Sequence, residues 1–190
     1  KLPHTQSRIM DELMRSDTIL APARDLVGPN IRLHTSKLNV KSARYGAAVD
    51  WHLDFAVYPH TNDDLLAVGV MLDDVDEENG PLMVFPGTHR DGIYNHHSGG
   101  VFAGTIDLAA EGVSVADAAV LTAPAGSISI HHARIIHGSA PNRSSRDRGV
   151  IFYEMMAADA FPIMGSMTTA PSLEAYDARM LCGTPTNEPR

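Results

Sequence analysis

His52 and Asp54 stand two residues apart in the stretch VDWHLDFAVYPHTNDD, residues 49–64. A strand sends alternate side chains to opposite faces. On an extended chain, the imidazole and the carboxylate therefore point the same way. Counted in twos, Trp51, Leu53, Phe55 and Val57 form an apolar face, and Asp50, His52, Asp54 and Ala56 form the other. A wet strand face usually mixes Lys, Glu, Thr and Ser, whereas this one has no long charged side chain. An imidazole nitrogen beside a carboxylate oxygen can hold two neighbouring positions of an octahedral metal. One more histidine from a distant strand would complete the two-histidine, one-carboxylate set of non-haem Fe(II) oxygenases and leave positions open. The same side chains also suit zinc.

Such a pair needs strands to carry it and a distant histidine to meet it. The helical signals come first. Ile9, Met10, Leu13 and Met14 form an apolar stripe over Thr5–Ser16. A second, weaker helical stretch runs from about Asp17 to Val27, with Pro22 tolerable only near a first turn. Gly28-Pro29 stops it. The text then becomes strand-like: NIRLHTSKLNV, the stretch around His52, LLAVGVML, a DDVDEENG turn cornered at Asn79-Gly80, and PLMVF. Residues 87–125 are irregular, and SVADAAVL within them reads as a strand or a helical turn. GSISIHH, RIIHGSA and GVIFYEMMA follow as three further apolar runs. The tail from Asp159 reads as loop, with a short helix near Ser172–Met180. Many short strands with turns between them predict a mainly β barrel or two-sheet jelly roll with helices near the N-terminus.

A chain of 190 residues suits a single domain over residues 1–190. Its net charge of −8 offers no surplus of cations to neutralise phosphates, which speaks against a nucleic-acid groove. No run approaches eighteen apolar residues, so no membrane span is expected. The first residues lack the apolar core of a signal peptide. Cys182 is alone and can form no internal disulfide, which fits a reducing, cytoplasmic setting.

Four pieces, HTSKLNVK, WHLDF, DDVDEENGPLMVFPGTHR and IHGSAPNRSSRDRGVIFY, occur in an order and at separations similar to those of the phytanoyl-CoA dioxygenase-like Fe(II)/2-oxoglutarate oxygenases. The resemblance covers about Gly28 to Met156. It implies a double-stranded β-helix, with Fe(II), 2-oxoglutarate and O2 as cofactor and cosubstrates. It also implies hydroxylation or desaturation of a small organic substrate, with release of succinate and CO2. Residue by residue, His52, Asp54 and His137 resemble the iron ligands. Arg148, eleven residues after His137, resembles the arginine that pairs with the distal carboxylate of 2-oxoglutarate. Ser139 resembles a serine on that same carboxylate, and Lys41, after a one-residue shift, a lysine contacting the cosubstrate. Lys37 is its rival. Gly69 stands where some relatives have a tryptophan. Related halogenases lack the carboxylate ligand, so Asp54 implies oxygen insertion or desaturation. Relatives usually carry several dozen residues before the first helix, so the resemblance implies that N-terminal residues of the family are missing here.

Other assignments remain open at this level. His131 and His132 compete with His137 as third ligand, and Arg146 competes with Arg148 as anchor. His96 and His97 read as solvated loop residues, and the acidic run from Asp73 to Glu78 as solvated turns. Asp50 could orient His52 as an acceptor. A cupin-like jelly roll that binds a metal or ligand without turnover is the alternative function, and a zinc hydrolase is a second rival. Neither has a use for Arg148 with Ser139.

Overall fold

The structure, a computed structural model, describes residues 2–164, 170 and 172–190. The loop expected over 165–169 and 171 lies outside the described residues. The N-terminal stripe forms two helices, α1 (Pro3–Gln6) and α2 (Arg8–Met14), because Ser7 between them is extended. Met14 is buried but Ile9 is exposed, which corrects the expected stripe. Helix α3 (Asp17–Val27) follows the expected bounds and carries Pro22 as its sixth residue, inside the helix instead of in its first turn.

Eleven strands follow: β1 (Ile31–Lys41), β2 (Val49–His52), β3 (Leu65–Met71), β4 (Leu82–Val84), β5 (His97–Ser98), β6 (Val101–Phe102), β7 (Ala119–Leu121), β8 (Ile128–His132), β9 (His137–Ser139), β10 (Arg148–Ala157) and β11 (Met180–Cys182). Two short helices interrupt them, α4 (Asp54–Val57) and α5 (Leu173–Asp177). SVADAAVL divides into a 3₁₀ turn at Val115–Asp117 and strand β7. Strand β11 was not expected. It pairs with the start of β1. Near it the buried Arg32 guanidinium lies 3.9 Å from the Tyr176 ring centroid and 2.7 Å from Asp177 of α5.

The sheets have orders β11-β1-β10-β3-β8 and β2-β9-β4-β7, and all their pairings are antiparallel. This is the expected jelly roll. Every residue of β10 is buried, because the strand is covered on both faces. Ile151, Tyr153 and Met155 pack with Met14, Ile19, Leu20 and Ala23 of the helices. Val150 and Phe152 face the other way, with Ala67, Met71 and Val75.

A bulge in β1 decides which of its side chains reach that inner face. Leu33 pairs with Met155, yet the next pair is Thr35 with Glu154, leaving His34 over. One extra residue reverses the alternation. Before the bulge, Ile31 and Leu33 pack under the helices. After it, Lys37 and Lys41 lie across from Phe152 and Arg148. Among the described residues, no helix is long and apolar enough to cross a membrane.

His34 itself is buried, with its ring 4.5 Å from Tyr58 and 5.1 Å from His60. Burial, reinforced by His60, pushes its pKa down from 6.5 to about 4. Between those values the unfolded chain holds a proton that the folded chain does not. Stability is therefore full above the unfolded value and falls as the pH drops through the window. Replacing His34 with Phe should reduce the slope of unfolding free energy against pH there by about 1.4 kcal/mol per unit. Urea unfolding of the metal-free protein across the window measures this, and an unchanged slope would contradict a buried neutral imidazole.

Candidate metal centre and cosubstrate cavity

Strand β2 ends at His52, earlier than the alternation suggested. Leu53 stays extended at φ −108°, ψ 130°, and Asp54 opens the single turn of α4. Val57, expected on the apolar face, is exposed, and Phe55 belongs to a different apolar cluster from Trp51 and Leu53. The functional consequence of the alternation survives, because one extended residue separates the two side chains. Strand β9 pairs with β2 so that His137 lies directly across from His52. Ligand atoms of His52, Asp54 and His137 all lie within 4.8 Å of one another. His52 Nε2 is 3.7 Å from Asp54 Oδ1, and His137 Nε2 is 3.8 Å from Oδ2.

Both imidazoles are locked in the same way. The Nδ1–H of His52 donates to the Asp50 carbonyl at 2.8 Å, and that of His137 to the Ile135 carbonyl at 3.1 Å. Each bond reaches two residues back and leaves the Nε2 lone pair turned to Asp54. The group from residue 50 that orients His52 is thus its backbone oxygen, not its carboxylate. Burial pushes the His137 pKa down to about 3 against the pull of Asp54, so the ring is neutral near pH 7. At His52 burial is again the largest effect and acts downward, but the Asp54 carboxylate and the Asp50 carbonyl together outweigh it and the pKa rises. Burial works against ionisation of Asp54. His137, His131, His52 and Lys37 nonetheless hold its carboxyl well below the usual carboxylate range. A divalent metal needs two neutral nitrogen donors and one ionised carboxylate; His137 and Asp54 are already in those states, and a metal at His52 would displace the proton that Asp54 favours there.

His131 faces inward and His132 does not. His131 Nε2 lies 3.8 Å from Asp54 Oδ2, and its ring is 4.6 Å from that of His137. Its Nδ1 is buried without a hydrogen-bond partner, so it lacks the carbonyl lock of the other two. His132 instead accepts from the Arg134 amide through Nδ1.

A cavity of about 80 Å³ extends from this cluster between the sheets. Ala67, Met71, Val75, Leu82, Val150 and Phe152 supply apolar wall, while Lys37, Lys41, Ser129, Ser139 and Arg148 supply polar groups. Arg148, the first residue of β10, is buried and donates to the carbonyls of Asn79 and Gly80. Asn79 is itself buried, accepts from the Asp76 amide and donates to the Asp74 carbonyl. The turn expected at Asn79-Gly80 is therefore a brace for Arg148. Arg146 pairs with Asp76 at the surface and does not line the cavity. Lys41 and Lys37 both line it. Lys41 Nζ donates to the carbonyls of Ala47 at 2.7 Å and Ala140 at 2.5 Å, and burial beside Arg148 lowers its pKa to about 8. Lys37 is 2.6 Å from the buried carboxylate of Glu154, and burial beside the Asp54 and Glu154 carboxylates pushes the Tyr58 hydroxyl pKa well above its usual value.

Sequence reasoning passed over Glu154 and Tyr58. Their positions become meaningful only once β10 and α4 close over the cluster. It also misplaced His96, which is 2% exposed and accepts the Leu53 amide, whereas His97 is exposed as expected. The acidic turns hold backbone: Asp73 accepts the Gly149 amide, Asp74 that of Ala125, and Asp76 those of Glu78 and Asn79.

A family model described as phytanoyl-CoA dioxygenase matches residues 1–150. The chain is 38% identical over 192 residues to a probable alpha-ketoglutarate-dependent hypophosphite dioxygenase of Stutzerimonas stutzeri, covering 99% of this chain and 65% of that protein. It is 30% identical to an L-proline trans-4-hydroxylase of Streptomyces griseoviridis, over 78% of this chain and 63% of that one. The chain thus spans less than two thirds of the length of these curated relatives. Its structure resembles a crystal structure of EctD from S. alaskensis with 2-oxoglutarate and 5-hydroxyectoine, with a TM-score of 0.70 and 26% identity. That match covers 82% of this chain and 54% of the other.

Gly69, on β3, marks how closely the wall is packed. A Cβ there would meet Ser129 Oγ at 2.8 Å and the Phe152 ring at 2.9 Å. Gly69→Ala should cost about 1–3 kcal/mol of stability through overpacking. In a double-mutant cycle with Phe152→Leu, the combined cost should be clearly less than the sum. Additive costs would show that the ring is not what the methyl meets.

Proposed function

Because the chain belongs to the phytanoyl-CoA dioxygenase family, we propose that it is an Fe(II)- and 2-oxoglutarate-dependent oxygenase acting on a small organic molecule. The observation that carries this reading is the union in one buried cavity of a two-histidine, one-carboxylate cluster and a guanidinium. The donor set fits iron: two imidazoles present Nε2, the carboxylate is ionised, and three ligands leave positions open for other groups. His52, Asp54 and His137 would hold the metal. Arg148, with its planar fork of donors, would take the distal carboxylate of 2-oxoglutarate. Ser139 and Lys41 flank the same part of the cavity and would add a hydroxyl and a positive charge. When bound, iron and 2-oxoglutarate supply the oxidation: the cosubstrate and O2 give succinate and CO2, and the second oxygen atom leaves in the hydroxylated substrate, or in water when a desaturation removes two hydrogens.

This chain's own residues do the positioning. The carbonyl locks on His52 and His137 fix which ring nitrogen is free. Asp54 occupies the position whose loss would admit a halide, which favours oxygen insertion or desaturation. The apolar wall from Ala67 to Phe152 limits water around the reacting groups. Relatives named for hypophosphite, L-proline and ectoine support a small polar substrate. The lone, half-buried Cys182 suits a cytoplasmic setting.

Adding Fe(II) and 2-oxoglutarate without oxygen should give a visible charge-transfer band, and admitting oxygen should form succinate. His52→Ala, Asp54→Ala and His137→Ala should each lose both signals while staying folded, and His131→Ala should keep the band. The reverse result for His131 and His137 would reassign the third ligand. A protein that binds zinc but shows no such band would favour the hydrolase. Arg148→Ala should retain iron yet bind 2-oxoglutarate more than about a hundredfold less tightly, since breaking a buried charged pair costs roughly 3–5 kcal/mol. Titration of the band measures this, and equal affinity in the variant would move the anchor to Lys41 or Lys37.

A further inference from the structure

We propose that His96 is a positioning residue for the metal centre, holding the first of the two amides that link two of its ligands. This inference rests on the reading of His52 and Asp54 as ligands. Strand β2 is the last strand of its sheet and pairs on one side only, with β9. Its other edge would present unpaired backbone groups. Two bonds from the long irregular stretch cover that edge. The Ile106 amide donates to the Trp51 carbonyl at 2.7 Å, and the Leu53 amide donates to His96 Nε2 at 3.0 Å. At the residue that joins the two proposed ligands, a side chain thus does the work of a strand.

The imidazole is fixed for this task. Its Nδ1–H donates to the Tyr94 carbonyl at 2.8 Å, which leaves Nε2 as the acceptor that an amide requires. This is the same two-residues-back lock found at His52 and His137, with the free lone pair directed at a peptide instead of the cluster. The His96 carbonyl in turn takes the amides of Ala103 and Gly104 at 2.8 and 3.2 Å, closing the β5–β6 hairpin on itself. Leu53 and His96 are each 2% exposed, so water cannot replace the bond.

The amide matters because of where it sits. Its peptide plane is attached to the Cα of His52, and the φ of Leu53 sets the direction in which Asp54 leaves. Leu53 is where the chain turns from strand to helix, and its amide points to the edge that β9 does not cover, so no partner strand receives it. A rotation here changes the separation of imidazole and carboxylate directly. The Leu53 side chain, packed with Phe85, Ile106, Leu108 and Ile136, resists such a rotation only from the side.

Cobalt(II) titration, followed by its d–d absorption, tests the proposal without turnover. His96→Leu removes the acceptor. His96→Gln places a carbonyl oxygen near the Nε2 position, and His96→Asn is too short to do so. Tyr153→Phe, which removes the hydroxyl bond to the Met10 carbonyl on the opposite face of the sheet, serves as the stability control. His96→Leu should weaken cobalt binding by about 10- to 100-fold, the usual effect of losing a group that orients a ligand, and should change the band shape. His96→Gln should recover most of the affinity, while Tyr153→Phe leaves it unchanged. If His96→Leu does not fold, Gln and Asn give the same comparison, with Gln the tighter binder. Wild-type affinity and spectrum in the Leu or Asn variant would overturn the proposal. Equal losses in His96→Leu and Tyr153→Phe would also overturn it, by showing a general loss of stability. Wild-type protein that binds no cobalt would instead overturn the reading of the metal centre.

Discussion

A carboxylate taken out of water must be compensated, and Asp54 is 4% exposed. Three imidazoles and the Lys37 ammonium surround it. These groups come from β1, β2, β8 and β9, so the charge of one side chain commits both sheets. The antiparallel pairing of β2 with β9 is the decisive step, since it sets His52 opposite His137 over the same carboxylate. The neutral state of His137 reflects a site in which burial outweighs the attraction of a neighbouring anion.

Strand β10 shows how a single sequence serves two purposes. Ile151, Tyr153 and Met155 seal the sheet against the helices, while Arg148, Val150 and Phe152 form part of the cavity wall. Arg148 opens this inner row and Glu154 lies towards its other end, with Val150 and Phe152 between them. The row therefore has a cationic end near the Asn79-Gly80 turn and an anionic end near Lys37 and Tyr58. The proposed 2-oxoglutarate, with one end at the proposed metal, would reach the first of these with its other carboxylate. The turn residues look dispensable in the linear text, yet their carbonyls take two of the guanidinium's five N–H groups and hold it in the cavity.

The irregular stretch between β4 and β8 is structural in a specific sense. It completes the edge of the strand that carries His52, through one ladder-like bond from Ile106 and one side-chain bond from His96. A short edge strand has few bonds to fix its end. A buried imidazole, locked on one nitrogen and accepting on the other, provides that restraint at the residue where the strand stops.

The spacing of His52 and Asp54, the apolar runs and the turn residues by themselves determined a mainly β fold with an imidazole and a carboxylate turned the same way, the proposed metal pair. These are local properties: side-chain period and turn chemistry need only neighbours along the chain. Four motifs in sequence favoured Arg148 over Arg146 as the proposed anchor, and of the two only Arg148 lines the cavity. Tertiary structure alone decided the rest. The choice of His131 over His132 as the inward ring depended on the register of β8 against β3, and the lock that distinguishes His137 from His131 depends on the local path of the backbone. The strand's early end at His52 and the burial of His96 follow from contacts with residues some forty positions away. The clearest case is β1. Its odd-numbered residues change faces at His34, so Leu33 packs under the helices while Lys37 and Lys41 reach the cavity. A bulge is one unpaired residue opposite a partner strand, so it has no signature in a period counted along one chain. It exists only once β10 is in place.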